Sequence, residues 1–248
     1  MNRSYFVKAL KSIFLLFKKK GFYILPPSLI LYIAIFFYSP QILLHLEKKF
    51  QQNFVFFTVS EPLLSLLRFS FCIFLILVFP LIYFGLLSLF DEVLHLKKSF
   101  FLMFYFLGLI FFYLGVAFAY FITLPYGIKF LISFKTESLE ASISLSHFVN
   151  FFSFFLIIFG LIFELPLFLA LLSLLKILKP YKVAKYRKEI FFFCVVFAAI
   201  ITPTPDAINM SLLAIPLYIL FELGLFLGRF LEKVNIRAVE IQKEPQPE

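Results

Sequence analysis

The sequence predicts an all-α integral membrane protein: six transmembrane helices, both ends on one side, the last two helices short. Three observations predict it. Of 248 residues, 62% are hydrophobic and 15% charged, with a mean hydropathy of +1.01; a soluble domain carries about a quarter charged residues. The apolar residues gather in runs, several of them long enough to cross a hydrocarbon core of about 30 Å. Finally, lysine and arginine alternate between connections. The amino terminus, the Asp91–Lys98 turn, the Lys176–Glu189 loop and the tail hold 18 of them, whereas the opposite connections hold only Lys48, Lys49, Lys129 and Lys135. The positive-inside rule then puts both ends in the cytoplasm or its organellar equivalent. The net charge of +9 is this loop asymmetry and not a nucleic-acid footprint.

Residues 1–20 set Phe6, Val7, Leu10, Ile13, Phe14 and Phe17 against Lys8, Lys11 and Lys18, the pattern of an interfacial amphipathic helix. No small-residue cleavage site follows the first apolar run, so these residues do not read as a cleaved signal. Span 1 is Gly21 to Ser39, with Pro26-Pro27 near its start, where a helix tolerates proline best. Pro40 to Pro62 reads as a connection. Span 2 runs from Leu63 to Phe90, with Arg68 near its outer end, where a long side chain snorkels to water. The turn Asp91–Lys98 leads to span 3, Ser99 to Leu124, closed by Pro125. A polar connection, Tyr126–His147, precedes the apolar run Phe148–Leu175, which is span 4. After the basic loop come Ile190–Ile201 and Ile208–Leu227, separated by the tight turn Thr202-Pro203-Thr204-Pro205-Asp206. Twelve helical residues reach only about 18 Å, so either the membrane thins there or partners shield these spans. A polar tail from Arg229 is expected to fray. The chain thus divides into an amphipathic segment 1–20, a membrane domain 21–230 and a tail 231–248.

The chemistry concentrates in span 4. Glu164 is the only charged residue between Phe148 and Leu175, and it lies roughly 24 Å into a helix of about 42 Å. An ionised carboxylate at that depth costs several kcal/mol in lipid, so it must face protein or water, or be protonated. Pro166 removes a backbone donor and frees a carbonyl one turn back, near the acid. An acid beside a helix defect points to a functional site; the alternative is a glutamate held by a Ser or Tyr of a neighbouring helix. Elsewhere, Cys72 and Cys194 lie in apolar spans as small hydrophobes, and His45, His95 and His147 are scattered. No metal, phosphate-loop or hydrolase motif is present, so no cofactor and no enzymatic chemistry are expected.

Several stretches together resemble the TatC family, the multispanning core subunits of the twin-arginine protein translocase. They are Ser60-Glu61-Pro62-Leu63; Tyr113 to Phe121 with Pro125; Phe159-Gly160 with Phe163-Glu164-Leu165-Pro166; Tyr186-Arg187-Lys188; Thr202-Pro203 with Pro205-Asp206; and Leu213-Ala214-Ile215-Pro216 with Phe221-Glu222. Their order, their spacing and the two short final spans fit over about Phe57 to Phe230. The resemblance implies a concave, glove-like six-helix bundle with Glu164 facing the cavity. It implies a receptor for twin-arginine signal peptides of folded cargo, working with single-span TatA and TatB partners on the proton-motive force. Self-association in a multimeric complex and residence in a bacterial inner membrane, or less commonly a thylakoid or other organellar one, are further implications. Thr202 matches a polar threonine of the family's partner-docking face, whereas Met210, beside Asn209, stands where a glutamine is expected.

The family's two cytoplasmic carboxylates have no counterpart here. Lys8 or Phe17 occupies the first position, and the second falls near Lys97-Lys98. Paired guanidinium groups want carboxylates in bidentate geometry and are repelled by lysine. Asp91 and Glu92 are the acids within reach; either they receive the signal's arginines or they balance Lys97 and Lys98. Glu61 and Arg68, seven residues apart, suit a fold-holding contact on one helix face. Asp206 suits an N-cap of span 6, and Glu222 a partner in Arg229 or the interface. The basic loop reads as topology determinant and anionic-lipid anchor. A proton-coupled transporter built on Glu164 is the competing class, against which stand a single deep acid and no internal repeat. A TatC-like scaffold without signal recognition is a third.

Overall fold

A computed structural model describes the backbone of residues 3–50, 54–94, 98–133, 143–201 and 207–241. The first helix, α1 (Arg3–Phe50), is continuous over 48 residues and contains Pro26, Pro27 and Pro40. It passes residues 20 and 21 without a break and extends eleven residues into the expected connection. Pro40 has no N–H for the carbonyl of Phe36, and the buried Ser39 hydroxyl donates to that carbonyl instead, at 2.7 Å. The lost backbone bond is replaced within the turn, so the helix continues.

A two-residue strand, β1 (Phe54–Val55), precedes α2 (Glu61–Leu94). Pro62 sits in the first turn of α2, and Asp91 and Glu92 lie within its final turns, not in the turn expected there. The third span also overruns its predicted end. Helix α3 (Lys98–Phe118) enters a π-helical turn, Ala119–Thr123, and continues as α4 (Leu124–Ser133) across Pro125. The Leu124 N–H reaches back five residues to the Ala119 carbonyl. That wide turn shifts the hydrogen-bond register just where proline lacks a donor and crowds the preceding turn, so Pro125 does not end the helix.

Strand β2 (Ile143–Ser144) pairs in parallel with β1, Phe54 against Ile143 and Val55 against Ser144. Span 4 is two helices, α5 (Leu145–Phe163) and α6 (Leu165–Leu174). Helix α6 ends on Lys176 in the left-handed conformation, φ 58°. The Lys176 N–H donates to Ser173, and those of Ile177 and Leu178 donate to Leu172, which satisfies the terminal carbonyls. A short helix α7 (Pro180–Val183) and a 3-10 turn, Ala184–Tyr186, lead into α8 (Arg187–Ile201). The last helix, α9 (Ala207–Ile241), carries Pro216 and runs twelve residues past Arg229, where fraying was expected. Extending a helix already anchored by packing needs no new nucleus, and Leu231 is still buried.

Among the described residues, five segments are long and apolar enough to cross a membrane: Pro26–Phe50, Glu61–Ser88, Lys98–Lys129, Leu145–Leu174 and Leu213–Glu232. Helix α8, at 15 residues, spans only about 22 Å. It is the short fifth element that the sequence predicts, starting three residues earlier than expected.

The chain forms two compact units, Met1–Tyr105 with Ile128–Ile157 and Phe106–Gly127 with Ile158–Glu248. In the first, α1 packs on α2, where the Tyr32 hydroxyl donates to Leu67 and its ring meets Phe74 edge-on at 5.8 Å. Phe69 packs on Phe152, and Phe148 lies 4.3 Å from Phe54. In the second, α9 packs against α6 and α8. Glycines set the closest approaches. A Cβ on Gly224 would come within 2.9 Å of the Pro166 backbone, and one on Gly228 within 3.1 Å of Pro180 and Ser173. Small residues let helices approach closely in lipid, where helix association draws on packing instead of the hydrophobic effect.

Candidate groove around Glu164

Glu164 is itself the break between α5 and α6. Its N–H bonds back three residues to Leu161, and its carbonyl accepts from Phe168. Pro166, fully buried, stands at the start of α6; lacking an N–H, it leaves the Ile162 carbonyl without the usual donor four residues on. The turn before the break is held from α3. Gly115 lies where a Cβ would be 2.5 Å from the Phe159 carbonyl oxygen, and Gly160 is covered by the Phe112 ring. Phe118 stacks on Phe159 and tilts against Phe163, both at 5.6 Å. The break is therefore a packed feature and not a frayed one.

The half-buried Glu164 lines an open groove of about 690 Å³ whose other walls are Leu161, Leu165 and Phe168 from span 4, Phe193, Phe197 and Ile200 from α8, and Leu217 from α9. Among the described residues of this lining, Glu164 is the only charged one. A carboxyl set in apolar walls exerts a stronger local field than one in bulk water, because the surrounding dielectric is lower. The exposed rings of Phe193 and Phe197 extend the apolar surface beside it. Among the described residues, no cluster of His, Cys, Asp or Glu is disposed to hold a metal ion.

Glu61 and Arg68 do not pair with each other; both grip the start of α5. The Glu61 carboxylate accepts from the Ser144 hydroxyl, from the Ser146 N–H at 3.0 Å and from the Phe57 N–H at 2.7 Å. It caps the α5 N-terminus from another helix, the end where negative charge is favoured. One turn further along α5, the Arg68 guanidinium donates to Asn150 Oδ1 at 3.2 Å and to Ser146 Oγ at 3.5 Å. The fold-holding contact expected of this pair is thus indirect.

Glu222 does not pair with Arg229, which lies seven residues further along the same helix. It takes Arg187 in bidentate geometry, Nε–Oε1 2.7 Å and Nη2–Oε2 2.9 Å, with the Tyr218 hydroxyl donating at 3.2 Å. The carboxylate, by hydrogen bonding and then by charge, pushes the Arg187 pKa above its ordinary value. Tyr218 stands one turn before Glu222, a spacing readable in the sequence. Arg187 is 35 residues away and carries no local signal.

The remaining candidates are less defined. Asp91 and Glu92 lie on the α2 backbone, but their side chains fall outside the described residues, as do Thr202 and Asp206 entirely. Asn209 and Met210 stand in the first turn of α9; Met210 is half-buried, and the Asn209 side chain is not described. Lys8 and Phe17 are on the α1 backbone without described side chains, and Lys97 is undescribed.

Comparison with known proteins gives a single answer. The family described as Sec-independent protein translocase protein (TatC) matches residues 16–216. The TatC of Carboxydothermus hydrogenoformans is 30% identical over 79% of this chain and 81% of its own length. That of Escherichia coli is 35% identical over 46% of this chain and 44% of its own. A crystal structure of the twin-arginine translocase receptor TatC in the detergent DDM superposes with a TM-score of 0.74 at 26% identity, covering 90% of this chain and 98% of that one. The chain therefore belongs to the TatC family, multi-pass membrane subunits of the Sec-independent protein translocase that are translocase components and not enzymes.

Proposed function

We propose that this chain is the receptor core of a twin-arginine translocase in a bacterial inner membrane. It binds twin-arginine signal peptides of folded cargo, docks single-span TatA- and TatB-type partners, and assembles with copies of itself for transport driven by the proton-motive force. Both termini face the cytoplasm in this reading, as the loop charges require. The observation that carries it is the Glu164 carboxyl lining the otherwise apolar groove between span 4 and α8. A partner helix with one polar side chain gains a hydrogen bond there while burying its apolar face. The short α8 thins the wall on that side, which favours assembly of partner helices over lipid contact.

Replacing Glu164 with Ala or Gln tests it. Folding in detergent should stay intact, because the carboxyl lies at the groove wall and not in a packed core. Export of a twin-arginine reporter should fall on the order of tenfold or more, the effect of losing about 1.4 kcal/mol of docking energy. Normal export by both variants removes Glu164 from the mechanism. A second reading, a TatC-like scaffold with altered or lost twin-arginine recognition, is favoured by one observation: Lys8 or Phe17 and Lys97-Lys98 stand at the family's carboxylate positions.

A further inference from the structure

From the end of α6 to the first turn of α8 the chain places a lysine at every third position: Lys176, Lys179, Lys182, Lys185 and Lys188. All five are exposed, and none forms an ion pair among the described residues. Lys182 lies in α7, Lys185 in the 3-10 turn and Lys188 at the start of α8, so the series runs through the whole connection. Ile177, Tyr181 and Tyr186 stand beside them with more than half of their surface open. Lysines interleaved with tyrosine and isoleucine form an interfacial composition, since tyrosine rings settle at the headgroup level of a bilayer.

The loop is pinned at two points. Pro180 is buried against Gly228, and Arg187 is clamped by Glu222. The lysines are therefore presented on an ordered backbone, and little further ordering entropy is lost when a ligand binds. The loop also joins the ends of two apolar helices, α6 and α8, which confines it to the depth of lipid headgroups. We propose that Lys176–Lys188 is a binding surface for the phosphates of anionic phospholipids, holding this unit at the interface by several simultaneous headgroup contacts. This names the lipid partner within the translocase reading and rests on the membrane placement that goes with it.

The test titrates the full-length protein in neutral detergent with phosphatidylglycerol, phosphatidylcholine, glycerol phosphate and an acidic peptide, counting bound ligand by native mass spectrometry. Phosphatidylglycerol should be retained over phosphatidylcholine. Exchanging Lys179, Lys182 and Lys185 for Gln should weaken its retention on the order of 100-fold at low salt, about fivefold per lysine. Exchange for Arg should preserve it, and raising the salt should erode it. Unchanged thermal unfolding of the Gln variant excludes misfolding; should that variant unfold, single Gln substitutions read the same per-lysine loss. Equal retention of both lipids, equal retention by the Gln variants, tighter binding of glycerol phosphate alone, or preference for the acidic peptide each overturns the proposal. Because the readout is lipid retention, its failure leaves the export result of Glu164 standing, and the reverse also holds.

Discussion

At the scale of single residues, the acids of this chain separate by their partners. Glu61 sits amid three donors from two segments, Ser144, Ser146 and Phe57, so it holds structure. Glu61→Ala strands those donors at a largely buried site and should cost about 2–3 kcal/mol, read as a lower unfolding temperature in detergent; unchanged stability would rule out the capping role. Glu164 lines an apolar groove instead, which is why its removal is expected to affect export before folding. The depth of Glu164 and the proline two residues on were legible from spacing alone. The pairing of Arg187 with Glu222 was not, because the two meet only when α8 and α9 pack.

At the scale of elements, prolines do not end helices here in the way their local preference suggests. Pro40 is tolerated because the Ser39 hydroxyl supplies the missing donor, and Pro125 because a π-helical turn absorbs it. At Pro166, in contrast, the span divides at Glu164. The close packing of α3 on the turn before Glu164 gives a direct test. Gly115→Ala would drive a Cβ to 2.5 Å from the Phe159 carbonyl oxygen and should cost about 1–3 kcal/mol, with reduced export because the groove wall shifts. The control is Gly85→Ala, where nothing lies within 4 Å of the new Cβ; it should be neutral or stabilising by up to about 1 kcal/mol. Equal effects of the two would show that packing around Glu164 is not specially tight.

At the scale of the whole molecule, the proposed receptor role needs carboxylates for paired arginines, and lysines stand at the positions where the TatC resemblance expects them. Asp91 and Glu92 close α2 on the side that the loop charges assign to the cytoplasm. If they receive the signal, changing both to Asn should reduce crosslinking of a twin-arginine precursor to residues 88–100 by on the order of tenfold or more, the loss expected when charge-assisted bonds worth about 1.5–3 kcal/mol disappear. Undiminished crosslinking would favour a scaffold that reads no arginines.

Sequence by itself determined the class, the order of the long apolar spans, the short fifth helix and the acid in the fourth. Those follow from local quantities: run length, charge alternation and the position of proline within a run. Tertiary structure alone decided where helices end and what each polar side chain touches. Ser39 and the π turn carry α1 and α3 past prolines that local rules treat as stops. Glu61 and Arg68 meet at α5, and the walls of the Glu164 groove come from four helices. A hydrogen bond or a wall made by residues tens of positions apart has no periodicity to betray it, since only packing brings the partners together.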